Sequence, residues 1–200
     1  MLPDTADTAA PAGRPRDPGL EQAILDATVD LIARHGLSGT SVAEVARQAG
    51  TGKAAVYRRW PSKTALVVAA VRSVQADVAV PDTGALRADL LAWIEHYTSG
   101  GERAALLLAN LLSEASRDTE LRDAAYAAIG NPPVAALRSV IERGIARGEV
   151  DPAAPLDVLI GIIPSFAFRE LVIGGRTLDR ATATTLIDDV LLPALRHRPE

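Results

Sequence analysis

The chain contains no cysteine, and aromatic residues occupy only 4% of its 200 positions. The first absence excludes disulfides, thiolate nucleophiles and cysteine-based zinc sites, and is compatible with the cytosol, where thiols stay reduced. The histidines His35, His96 and His197 lie far apart, without the spacing of a helical metal pair, so no metal is expected. No phosphate-cradling glycine loop, Gly-x-Ser-x-Gly elbow or dinucleotide fingerprint occurs, and Asp188-Asp189 reads as a solvated helix face. Neither a catalytic residue nor a cofactor is expected, and the chain does not read as an enzyme. Met1 to Pro18 has no apolar core of a signal peptide. The longest apolar stretch, Leu156 to Ile173, is interrupted by Pro164, Arg169 and Glu170, so no membrane span is expected.

What is present suits a compact fold: 48% apolar and 23% charged residues over this length can close a sizeable core in one or two domains. Net charge is −4, but residues 12–63 carry eight Lys or Arg against five Asp or Glu, while the remainder is acidic. Such asymmetry orients a protein on an anionic partner, basic end first.

That basic segment contains residues 40–66, TSVAEVARQAGTGKAAVYRRWPSKTAL. Ser41 and Glu44 have the spacing of a capping box, which starts a helix. Val42, Val45, Ala46 and Ala49 give it one small apolar face. Gly50 falls where the chain must turn, a place for positive φ, and Thr51 or Gly52 starts the next helix. That helix is expected from Lys53 to about Trp60, with Val56 and Trp60 inward and Lys53, Ala54, Ala55, Tyr57, Arg58 and Arg59 nearer the outside. Cations, a phenol and small methyl groups suit a DNA groove, and Ala55 can meet a thymine methyl. Pro61 ends the helix, and Ser62 caps a third one beginning at Lys63, where a cation beside exposed N–H groups forms a phosphate site. Upstream, Gly13-Arg14-Pro15-Arg16 is similar to the core of a minor-groove arm, in which Arg14 and Arg16 meet narrow A·T-rich DNA. Asp17-Pro18 reads as the start of the first helix, with Leu20, Ile24, Ala27 and Leu31 on its apolar face and Gly36 at its end.

Residues 20–66 resemble the DNA-binding domain of the TetR family of transcriptional regulators. Ile24, Ala27, Leu31 and Gly36 match in the first helix, Thr40 to Ala46 in the second, and Gly50, Lys53, Tyr57, Pro61, Ser62, Lys63 and Leu66 beyond. The resemblance implies that Lys53 to Arg59 is the recognition helix, that Tyr57 and Lys63 hold phosphates, and that Thr40 or Ser41 steadies the other strand. The chain departs from the family pattern at Gly52 and Ala55, where hydroxyl residues are common, and at Trp60, where Phe is usual.

From Lys63 onward no alternating strand pattern occurs. Helices are expected over 63–79, 85–98, 103–116, 119–147 with an interruption at Asn131-Pro-Pro133, 156–174 with a kink at Pro164, and 180–196. The whole is therefore all-α with about nine helices: a flexible arm (1–17), a three-helix helix-turn-helix domain (18–64) and a C-terminal helical domain (65–200). Ala104 to Leu112 is apolar all round except Asn110, so its helix is expected to run through the middle of that domain.

The resemblance implies a ligand cavity there, for which the candidate lining residues are Trp93, Tyr97, Leu107, Asn110, Leu111, Tyr126 and Phe166. Few of these carry charge, so a small, largely apolar effector is expected, with the Asn110 amide needing a partner. Residues 156–174 and 180–196 form an apolar pair suited to a symmetric homodimer interface. Phe166 to Leu171, followed by Gly174-Gly175, is similar to the C-terminal domain of a TetR subgroup. Arg169 and Glu170 pair across that interface or face water. The reading is a cytoplasmic, homodimeric, ligand-responsive repressor of a palindromic double-stranded DNA operator. Its rivals are an effector-independent DNA-binding dimer and an adaptor that binds a protein partner.

Overall fold

The structure is a computed structural model that describes residues 18–75, 77–99 and 102–196. Arg14, Arg16, the Asp17 cap and His197 lie outside the described residues. Among the described residues the chain is all-helical, and nine helices account for it.

The first four helices build the head: α1 (Pro18–Gly39), α2 (Val42–Gln48), α3 (Lys53–Tyr57) and α4 (Lys63–Ser73). Local chemistry sets each end. Gly36, at φ +70°, breaks the helical run inside α1. The Ser41 hydroxyl accepts from the Glu44 N–H at 3.2 Å to start α2. Glu44 turns to Arg47 at 3.8 Å instead of reaching back to the cap. The Ser62 hydroxyl accepts from the Ala65 N–H at 3.0 Å to start α4. Ile24, Ala27, Leu31, Val42, Val45, Ala46, Val56 and Leu66 form one small core beneath these helices.

The body consists of α5 (Leu86–Trp93, continued by Glu95–Thr98), α6 (Glu102–Ala115), α7 (Thr119–Ala125, the π turn Tyr126–Gly130 and Asn131–Ala146), α8 (Leu156–Val172) and α9 (Arg180–Thr185, the π turn Leu186–Leu191 and Leu192–Arg196). One core joins α5, α7, α8 and α9, and a second joins head to body through Ile32, Val67, Val71, Leu107, Leu111 and Leu121.

Several expectations are corrected. The helix from Lys63 stops at Ser73, because Val78 and Val80 prefer extended backbone and Pro81 disfavours helix before it. Pro132 and Pro133 do not interrupt α7. They follow the π turn, whose wider spacing relieves the clash of a proline ring with the carbonyl four residues back. Nor does α6 run through the middle: Leu107 and Leu111 are buried, but Leu106 and Asn110, on the neighbouring face, point outward.

Arg169 and Glu170 do not both face water. Glu170 is buried and pairs with Arg169 and, at 2.7 Å, with Arg176. Gly174 makes this corner possible, because a Cβ there would lie 2.6 Å from the Glu170 carbonyl oxygen. Gly174→Ala is expected to cost about 1–3 kcal/mol through forced backbone movement. Urea unfolding checks it, and an unchanged midpoint would show that the corner relaxes freely.

Candidate nucleic-acid interface and effector cavity

The turn before α3 is fixed by backbone bonds: the Thr51 N–H reaches the Ala46 carbonyl at 2.8 Å and the Gly50 N–H reaches Arg47 at 3.2 Å. Gly50 adopts φ +67°, a region that costs glycine little. The helix that follows spans only five residues, shorter than expected, so Arg58 is its cap and Trp60 lies beyond it. Val56 anchors it inward.

The outer surface divides the candidate residues. Gly52, Lys53, Ala54, Tyr57 and Arg58 are exposed, Tyr57 by 48%, and Thr51 is half-buried. Among the described residues no carboxylate lies within 4.0 Å of Lys53 or Arg58. Two cations therefore stand unneutralised at the tip of the head, whereas Arg34 and Arg47 are tied to Gln48 and Glu44.

Four candidates sit differently. Ala55 is buried, so its methyl group cannot meet a base without α3 turning. Arg59 folds back, its Nη1 donating to the Ala55 carbonyl at 3.2 Å. Thr40 is 3% exposed and its hydroxyl donates to the Gly36 carbonyl at 2.8 Å, closing the end of α1, while the exposed Ser41 remains accessible. Lys63 donates from Nζ to the Leu37 carbonyl at 2.8 Å, tying α4 to the end of α1. Lys63→Met is therefore expected to destabilise the head by about 1–2 kcal/mol, the scale of a partly buried charge-assisted hydrogen bond. A melting temperature equal to that of the parent protein would show that this tether carries no stability.

In the body, a cavity of about 370 Å3 lies among α5, α6, α7, α8 and the end of α4. Of the seven candidates, Tyr97, Leu111 and Tyr126 line it. The other four candidates do not. The Trp93 indole is buried and donates to the Pro133 carbonyl at 2.8 Å, with its ring edge-on to Tyr97 at 5.2 Å. Leu107 belongs to the core between head and body. Asn110 is exposed, and its amide donates to the Leu106 carbonyl at 2.9 Å. Phe166 packs on the body core beneath the Arg169 guanidinium, 5.5 Å away.

Sequence reasoning missed Gln75, His96, Arg122 and Phe168, which also line the cavity. Burial pushes the Tyr97 phenol above its ordinary range, so it stays protonated and can donate. Gln75, just past the end of α4, connects the cavity to the helix that Lys63 begins.

A small helix-turn-helix head with a bare cationic tip, mounted on a helical body that encloses an apolar cavity, defines a DNA-binding transcriptional regulator. Residues 24–70 match the family described as bacterial regulatory proteins, tetR family, and residues 80–190 match the tetracyclin repressor-like C-terminal domain. The chain belongs to the TetR family of transcriptional regulators.

It is 35% identical to the HTH-type transcriptional regulator Mb1581 of Mycobacterium bovis over 189 residues, 92% of this chain and 94% of that one. It is 29% identical to the DNA-binding transcriptional repressor TetR of Mycobacteroides abscessus, over 87% of this chain and 93% of the relative. The crystal structure of the TetR family transcription regulator SCO0332 superposes with a TM-score of 0.62 at 27% identity, covering 86% of this chain and 96% of that one.

Proposed function

We propose that the protein is a homodimeric, ligand-responsive repressor that binds a palindromic operator and releases it when an effector enters the body cavity. Lys53, Ala54, Tyr57 and Arg58 enter the major groove, and Thr51, Gly52 and Ser41 position the head on the phosphates. Lys63 acts mainly by holding α4 against α1, and Arg14 and Arg16 extend the contact into the minor groove. Two heads related by a dyad read half-sites one DNA turn, or a multiple of it, apart.

The observation that carries this reading is the course of α4, which holds the head at Lys63 and ends at Ser73, two residues before Gln75 at the cavity. Moving that helix changes the separation of the two heads. An effector that favours the non-binding form by about 1–3 kcal/mol shifts operator affinity 5–150-fold. The exposed apolar residues Val158 and Val172 on α8, Ile173 at its C-terminal end, and Val190 on α9 favour dimerisation through these helices.

The test is titration of the purified protein against the DNA upstream of its own coding region and a scrambled control, at several salt concentrations. Selective binding of two protomers with a steep salt slope supports the regulator. No binding at low salt moves the adaptor reading to the front.

A further inference from the structure

We infer that the body cavity selects a planar, mainly apolar molecule that is uncharged or anionic and carries a hydrogen-bond acceptor, and that it rejects organic cations. This rests on the proposal that the cavity is the effector site, and it adds the chemistry of the occupant.

Among the described residues lining the cavity there is no Asp or Glu. A cation entering this apolar space would lose its hydration and find no carboxylate to compensate, and cation–π attraction does not offset that loss. The polar side chains that line the cavity are donors or can serve as donors: the Tyr97 and Tyr126 phenols, the Thr177 hydroxyl, His96, Gln75 and Arg122. The Arg122 Nε donates to Asp123 at 3.0 Å, and Asp123 is exposed and not part of the lining. An acceptor oxygen on the ligand is the complement to this set.

The preference for a flat shape comes from the mouth. Tyr126 is 58% exposed and Phe168 49%, yet both line the cavity, so their rings border its opening. Tyr126 begins the π turn and lies over Gly130, where a Cβ would come within 3.1 Å of its ring. Glycine at 130 therefore leaves the phenol ring the room it occupies at the mouth. At about 370 Å3, the cavity falls at the small end of the range for organic ligands.

The probes are three planar dyes titrated onto the full-length protein: anionic 8-anilinonaphthalene-1-sulfonate, neutral N-phenyl-1-naphthylamine and cationic acridine orange. The first two are expected to bind one per protomer, and the cation at least about tenfold more weakly. The net charge of −4 would favour the opposite order for nonspecific adsorption, so the ranking is diagnostic. Tyr97→Phe is expected to weaken the sulfonate about three- to tenfold, the range of one hydrogen bond, and to leave the neutral dye unchanged. Tyr126→Ala is expected to speed release of both.

Ala104→Phe and Ala167→Phe, which fill the cavity from opposite helices, are expected to abolish binding. Dye binding that survives both would place the dyes on the exposed face of α8 and overturn the inference, as would equal or tighter binding of the cation, or no binding of either other dye. The DNA titration fails or succeeds independently. Dyes that bind as ranked without weakening DNA binding leave the ligand chemistry standing and remove the coupling.

Discussion

A double variant, Lys53→Ala with Arg58→Ala, is expected to lose operator affinity by about a thousandfold, the sum of roughly 1 kcal/mol for each of four cations in a dimer. Both side chains are exposed and without an acidic partner among the described residues, so their removal leaves the folded head intact and its melting temperature unchanged. The salt dependence separates a groove contact from a remote effect. If each lost cation faced a phosphate, the slope of log affinity against log salt falls by about 3–4 units per dimer. Loss of affinity with an unchanged slope would instead mean that these residues shape the protein rather than touch DNA. Neighbouring positions supply the contrast. Arg59→Ala, which removes the bond to the Ala55 carbonyl, is expected to act on stability first. Ala54→Ser is expected to alter base preference, whereas Ala55→Leu strains the packing beneath α3.

That contrast also marks where sequence reading ended. Gly50, Ser41 and Ser62 were legible because each acts on backbone groups within a few residues, so spacing alone reveals the turn and both caps. Ala55 and Thr40 were misplaced because their exposure depends on what packs above them. A five-residue helix has no dependable outer face, and a threonine beside a helix end can donate inward to Gly36 as readily as outward to a phosphate. Asn110 is an amide in an apolar run, yet it shares the exposed face of Leu106, one turn earlier, and that residue's carbonyl satisfies it. Phe168 was passed over beside Phe166, although only the former reaches the cavity. Two residues apart on a helix point about 200° from each other, and no local signal says which direction holds the void.

Asp89→Ala is expected to lower the stability of the body by about 3–4 kcal/mol, the scale of breaking a buried ion pair, and the melting temperature by about 10 °C. Asp89 is 0% exposed. Its carboxylate accepts from the Thr83 N–H at 2.6 Å and the Thr83 hydroxyl at 2.7 Å, and from Arg147 at 3.2 Å. Arg147 also binds Glu149 at 2.5 Å, and Glu149 accepts from the Leu86 N–H at 2.9 Å, so one network fixes the loop before α5 to the end of α7. Because α5 carries His96 and Tyr97, the same network sets the wall of the cavity. The pH dependence has a definite sign. Burial alone pushes the Asp89 carboxyl up, but the Thr83 N–H, the Thr83 hydroxyl and Arg147 together hold it below its ordinary value. Its contribution is therefore complete above the unfolded value near pH 4 and is lost as pH falls through the lower folded value. The stability difference between parent and Asp89→Ala should be constant from about pH 7 to 5 and shrink steadily below about pH 4. Denaturant unfolding at intervals across that range measures it. A difference that stays level down to pH 3 would show that packing around Asp89, rather than its charge, holds the loop.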